Sequence, residues 1–148
     1  MSRRYAEGTA VSVESSRGEI TGILAKHGVT RMGWATEPQQ DALHFELAGH
    51  SYRLYIQRPT VDEVRGMWIA DGRDWSRVYD RDAKVAAEWK RRWRANVLLL
   101  KAKLEFADGL TSTVERELMP YMLLRDGRTL EAALADGGVP LLEAGKAR

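Results

Sequence analysis

The chain has no cysteine, only four prolines and two phenylalanines, and no long apolar run among its 148 residues. Without cysteine there is no disulfide framework, no thiolate metal site and no cysteine nucleophile, and a reducing compartment is the simplest expectation. No stretch approaches the roughly 18 apolar residues of a membrane span. The opening "MSRRYAEGTAVSVESSRGEI" has basic residues but lacks the apolar core of a signal peptide. A cytoplasmic protein with no membrane partner is therefore expected. Hydrophobic residues make up 44% and charged residues 30% of the chain, a globular composition sized for one domain rather than a disordered one.

Charge of either sign is nearly balanced overall, at +2, but not along the chain. Residues 84–103 hold 7 basic residues and 1 acidic, whereas residues 1–83 hold 11 and 12 and residues 104–148 hold 5 and 8. The whole positive excess sits in one segment. A focused basic stripe attracts polyanions even when the molecule is almost neutral, though it carries no sequence preference.

Periodicity predicts an α+β fold in a single domain over residues 1–136. In "SSRGEITGILAKHG", Ser16 and Glu19 form a capping-box pattern, Ile20, Ile23, Leu24 and His27 recur on one face, and Gly28 suits the helix end. Three strands follow as an antiparallel meander. Met32 and Trp34 share one side of the first, Leu43, Phe45 and Leu47 alternate in the second, "AGHS" makes a hairpin turn, and Tyr52, Leu54 and Ile56 alternate in the third until Pro59. Residues 60–81 fit no single period and read as a structured connection packed on the domain through Trp68, Ile69, Trp75, Val78 and Tyr79. A long amphipathic basic helix is predicted from about Asp82 to Phe106, its core ridge formed by Ala86, Trp89, Trp93, Val97, Leu100 and Leu104. Short helices complete the chain: one capped by Ser112 with Glu115 and broken at Pro120, and one capped by Thr129. The tail over 137–148 is expected to be mobile.

Four stretches, "VSVESSRGEITGILAKHG", "LHFELAGHSYRLYI", "RRWRANVLLLKAKLE" and "VERELMPYMLLRDGRT", resemble a family of uncharacterised proteins of bacteriophages and integrated prophages. They span most of the chain apart from the connection and the tail. The family carries no assigned activity. The resemblance therefore implies a phage or mobile-element context, hence the cytoplasm of a bacterial host cell, and a shared fold, and brings no active-site residue with it. Gly18 and Gly22 stand where relatives favour ordinary helix formers, and "LEAALADGG" replaces a more aromatic end. The order helix, three strands, helix is also that of double-stranded-RNA-binding domains, but the long connection and the absence of their basic motif leave only an analogy of topology.

Catalytic chemistry finds no support in the residues. His27, His44 and His50 lack any metal-ligand spacing, Asp41 and Glu46 have no Lys partner for a two-metal nuclease, no Gly-rich phosphate loop is present, and Ser12, Ser15 and Ser16 mark a helix start. No enzyme, metal or cofactor is expected. The long helix offers a contact surface instead. Lys90, Arg94 and Lys101 share one flank, Arg92 and Lys103 the other, and Lys84 and Arg91 the back. Charge that wraps a helix in this way is what long cationic stems produce when they lie over a half-buried Trp ridge. It is also what a phosphate contact needs, with Lys84, Arg91 and Arg94 foremost. On the outer sheet face, Arg31, Arg53 and Tyr55 add cations and one stacking ring beside His44 and Gln57.

These readings predict a phage-related accessory protein that binds nucleic acid without sequence specificity, DNA before RNA, in replication, recombination or repair. The competing class is a protein-interaction module, an inhibitor or adaptor using Trp68 and Trp75, since exposed Trp is over-represented in interfaces. Trp34, Trp89 and Trp93 read as core. Leu98 and Leu99, outside the Trp ridge, leave apolar surface for self-association under either reading.

Overall fold

A computed structural model describes residues 3–137, 140–142 and 144–145. Five α-helices and one three-stranded sheet form an α+β domain in the order α1 (Val13–Lys26), β1 (Met32–Thr36), β2 (Gln40–Leu47), β3 (His50–Gln57), α2 (Val61–Ala70), α3 (Arg81–Asp108), α4 (Val114–Leu118) and α5 (Leu130–Ala135). Single 3₁₀ turns lie at Trp75–Arg77 and Met119–Tyr121.

The sheet is the predicted antiparallel meander, in the order β1-β2-β3. Its register pairs Trp34 with Leu43 and Leu43 with Leu54, so the apolar parity of all three strands falls on one face. Ala48 and Gly49 close the β2–β3 hairpin, both with positive φ (51° and 80°), the conformation a two-residue turn needs to match strand twist. Gly49 adopts it freely, whereas Ala48 carries a steric penalty of about 1 kcal/mol. The second edge of the sheet is partly covered: Met122 bridges to Tyr52, and the Leu123 amide donates to the Ser51 carbonyl at 2.8 Å.

Helices α1 and α3 pack together over the apolar face of the sheet. Ile20 and Leu24 of α1 meet Trp93, Val97, Leu100 and Leu104 of α3 and Leu43, Phe45, Tyr52, Leu54 and Ile56 of the sheet, all buried. Trp93 is the largest fully buried side chain, and removing a body of that size from water contributes on the order of 2–3 kcal/mol. Trp34 and Trp89, half-buried, lean on it with ring centroids 5.2 and 5.8 Å away.

Several boundaries differ from the sequence reading. Helix α1 starts at Val13, capped by Ser12, whose hydroxyl accepts from the Ser15 amide, so Ser16 is no cap but a buried side chain inside the helix. Residues 60–81 contain a helix: Thr60 caps α2 by accepting from the Glu63 amide, and Val64 and Met67 face inward. Helix α3 runs a turn or less further at each end than predicted, from its Asp80 cap, and Ala86 is exposed rather than part of the core ridge. Thr113, not Ser112, caps α4. Thr129 caps α5 as read, accepting from the Ala132 amide. Of the tail predicted to be mobile, residues 138–139, 143 and 146–148 lie outside the described residues. No helix among the described residues is long and apolar enough to cross a membrane.

Candidate functional site

In the middle of helix α3 the arginines Arg91, Arg92 and Arg94 are paired and the lysines are not, while Arg81 at its start lies 5.6 Å from the Trp75 ring centroid. Glu88, buried within the helix surface, accepts two hydrogen bonds of 2.8 Å from Arg91 and one of 3.1 Å from Arg92. Arg92 continues to Glu63 of α2 at 2.9 Å and to the Gln57 carbonyl, and Arg91 donates to the Tyr5 carbonyl. Arg94 pairs with Glu19 of α1. These three arginines tie α3 to the chain start, to α2 and to α1. Burial pushes the Glu88 carboxyl up, but the hydrogen bonds from Arg91 and Arg92 outweigh it and hold the group below its ordinary 4.5. The Arg91 guanidinium is raised in turn by its hydrogen bond to Glu88. Lys84, Lys90, Lys101 and Lys103 have no carboxylate partner among the described residues.

Two of the four unpaired lysines share one side of the helix. Lys90 and Lys101 are three helical turns apart, so they lie on one side of α3 separated by roughly 16 Å. That side borders the groove between α3 and α1. At one end Lys90 joins Arg17, Arg58, Asp41, Thr36 and the first turn of α1 around an open cleft of about 360 Å³. At the other, Lys101 and Lys26 line a second cleft together with Gly22, Glu19 and Glu105. His27, whose side chain is buried, closes that end with a 2.7 Å contact from Nδ1 to Asp108.

Besides the predicted Lys90, the first of these clefts is built on Arg17 and Arg58, which the sequence reading passed over, and on Asp41, which it weighed only as a nuclease carboxylate. Asp41 lies on the inward parity of β2, buried, and accepts from Arg17 Nη2 at 3.1 Å and Arg58 Nη2 at 2.8 Å. The Arg17 guanidinium lies 5.3 Å from the Trp34 ring centroid and 5.1 Å from that of Trp93, and Arg58 lies 4.7 Å above Trp89. The signal was present in the strand pattern: a carboxylate in phase with Leu43, Phe45 and Leu47 must find a cation or pay a large desolvation penalty.

The other predicted residues fall elsewhere. Lys84 sits 4.9 Å over the Trp68 ring, with Arg73 at 4.6 Å from it, in a separate cleft of about 220 Å³ beside Arg4, Glu7, Glu88 and Arg91. Opposite charges alternate in that cleft: Arg4 pairs with Asp71 at 2.9 Å and Arg73 with Glu7 at 3.4 Å. Arg53 and Tyr55 lie on the outer sheet face, 3.5 Å apart, with Gly33, Ala35, Ala42 and His44 making a shallow floor. Arg31 projects into solvent there, 3.5 Å from Glu46. The structure thus brings Lys90, Arg94 and Lys101 together and sets Lys84, Arg91 and the sheet residues on other faces. Trp75 is buried and packs edge-on against half-buried Trp68 at 6.1 Å, so it is not an exposed contact residue. Leu99 is exposed and Leu98 half-buried.

Among the described residues no group of three or more His, Asp or Glu is placed to hold a metal ion. No family model, no curated protein and no solved structure matches this chain.

Proposed function

We propose that the protein is a phage-related accessory factor that binds nucleic acid without sequence specificity along the α1–α3 groove, in DNA replication, recombination or repair. The observation that carries this reading is the division of charge on α3. Three of its four arginines, Arg91, Arg92 and Arg94, are consumed in internal ion pairs with Glu88, Glu63 and Glu19, while Lys90 and Lys101 stand unpaired on one side, with Lys26 and the Arg17–Arg58 pair across the groove. Phosphates along a strand meet such a row without base contacts, and binding follows counterion release. Arg91 and Arg94, the residues the sequence favoured, serve the fold in this reading, and a charge reversal there tests stability more than binding.

The discriminating experiment is a gel-shift titration of the Lys90→Glu/Lys101→Glu variant. Binding weakened by about tenfold or more, with Lys103→Ala on the opposite flank binding as the parent does, is the expected result. Equal binding by parent and double variant would remove the groove from consideration.

A second reading, a protein-interaction module, is favoured by one observation: exposed Tyr79 lines a cleft with half-buried Trp68, and Ile69, next to Trp68 in α2, is exposed as well. In that reading the contact residues are Ile69, Tyr79 and Trp68, with Trp75 as their support. Loss of a host or phage protein partner on Tyr79→Ala, with nucleic-acid binding absent throughout, is the result that selects it.

A further inference from the structure

We propose that Arg17, Arg58 and Lys90 form a preorganised pocket for a phosphate monoester, the group borne by the end of a nucleic-acid strand and by a free nucleotide. The inference deepens the groove reading and rests on it for the polymer as source.

Three features argue for a ligand site rather than a purely structural ion cluster. First, the stoichiometry is unequal. One buried carboxylate, Asp41, stands between two guanidiniums, which leaves one charge uncompensated, and Lys90 at the lip adds a second. Glu14 is the other acidic residue at the cleft and is exposed to solvent, where its charge is screened. The excess is one positive charge when Glu14 is counted and approaches two as solvent screens it, which suits the roughly −1.5 to −2 of a phosphate monoester near neutral pH.

Second, donors remain open. Asp41 takes only Nη2 from each arginine, and Nη1 of Arg17 and of Arg58 makes no hydrogen bond to the described residues. The buried Nε of each guanidinium also lacks an acceptor, so both arginines are under-bonded as they stand. An open Nη1 on each arginine beside one ammonium is a donor set that phosphate oxygens accept.

Third, the donors are already fixed. Arg17 is wedged against Trp34 and Trp93, and Arg58 lies over Trp89, while Asp41 locks their orientation. A ligand need not order two long side chains, a cost that usually erodes affinity at arginine sites. The cleft, about 360 Å³ and open to the groove, has room for a phosphate with its sugar.

The test compares one single-stranded oligonucleotide with a 5′-phosphate or a 5′-hydroxyl, alongside adenosine 5′-monophosphate and adenosine, on the full chain and on Arg58→Lys and Lys90→Ala. Arg58→Lys keeps the charge beside Asp41 but loses the fork; Lys90→Ala disturbs no ion pair of the fold, and thermal melts check that both variants are folded. The expected result is about tenfold tighter binding of the phosphorylated strand, with that preference collapsing in both variants. Binding of the monophosphate but not adenosine, with neither strand bound, would support the pocket with a free nucleotide as its ligand and overturn the polymer reading. Equal binding of both strands with no binding of the monophosphate would overturn the pocket and leave the groove reading intact. Binding of none of the four ligands would overturn both.

Discussion

Glu88 is the residue on which the charge of α3 turns. It neutralises Arg91 and Arg92 at once, and both guanidiniums are less than a fifth exposed. Removing it leaves largely desolvated Arg91 with no carboxylate and only the Tyr5 carbonyl, and Arg92 with Glu63 alone, the situation in which a broken pair costs far more than a surface salt bridge ever contributes. Glu88→Ala is expected to destabilise the fold by about 3 kcal/mol, measured by denaturant titration with an unchanged slope. The pH dependence follows from the same geometry. The folded carboxyl is held below its ordinary 4.5, so as pH falls the unfolded chain takes up the proton first. Its contribution is complete above the ordinary carboxylate range and is lost as pH drops through it toward the lower folded value. Glu7 adds in the same direction, held down by a hydrogen bond from the Arg4 amide and, against the effect of burial, by Arg73. The melting temperature should therefore fall between about pH 5 and 3, and Glu88→Gln should flatten that fall.

At the scale of elements, α1 is a helix held by its neighbours rather than by its own propensity. Gly18 and Gly22 sit inside it at exposed positions where an added Cβ meets nothing within 4 Å. Gly18→Ala and Gly22→Ala should each stabilise the protein by about 0.5–1 kcal/mol, seen as additive rises in melting temperature. A loss of stability at either position would mean that the surroundings of α1 are tighter than described. Element by element, the fold was legible where burial imposes a clean period. The alternation in β2 and β3 and the Trp93–Val97–Leu100–Leu104 ridge of α3 read directly from the sequence, because each faces one apolar layer. Helix α2 was not read, although Thr60 and Glu63 form a capping box, because it buries only a narrow stripe around Val64 and its outer side carries exposed Val61 and Ile69 that blur the period. The caps of α1 and α4 were misassigned for another reason. Ser12, Ser15 and Ser16, like Ser112 and Thr113, offer alternative hydroxyls within one turn, and which of them caps depends on where tertiary packing starts the helix.

For the molecule as a whole, the candidate site was half legible. The concentration of lysine and arginine in α3 is a property of the sequence. Which of those charges stay unpaired is not, because Glu19, Glu63 and the Tyr5 carbonyl arrive from α1, α2 and the chain start. Asp41, Arg17 and Arg58 are likewise far apart in sequence and meet only once β2 lies beneath α1. The central claim is that α3, with Arg91, Arg92 and Arg94 spent on internal pairs, presents Lys90 and Lys101 along the α1–α3 groove to a phosphate backbone. The most direct measurement is fluorescence anisotropy of labelled single-stranded DNA, duplex DNA and RNA across about 50 to 200 mM salt, with the parent chain and Lys90→Ala/Lys101→Ala. The account predicts affinity that falls linearly in a log–log plot, and a slope shallower by roughly one for each lysine removed. No binding at the lowest salt, or binding whose slope is the same in parent and double variant, would contradict it.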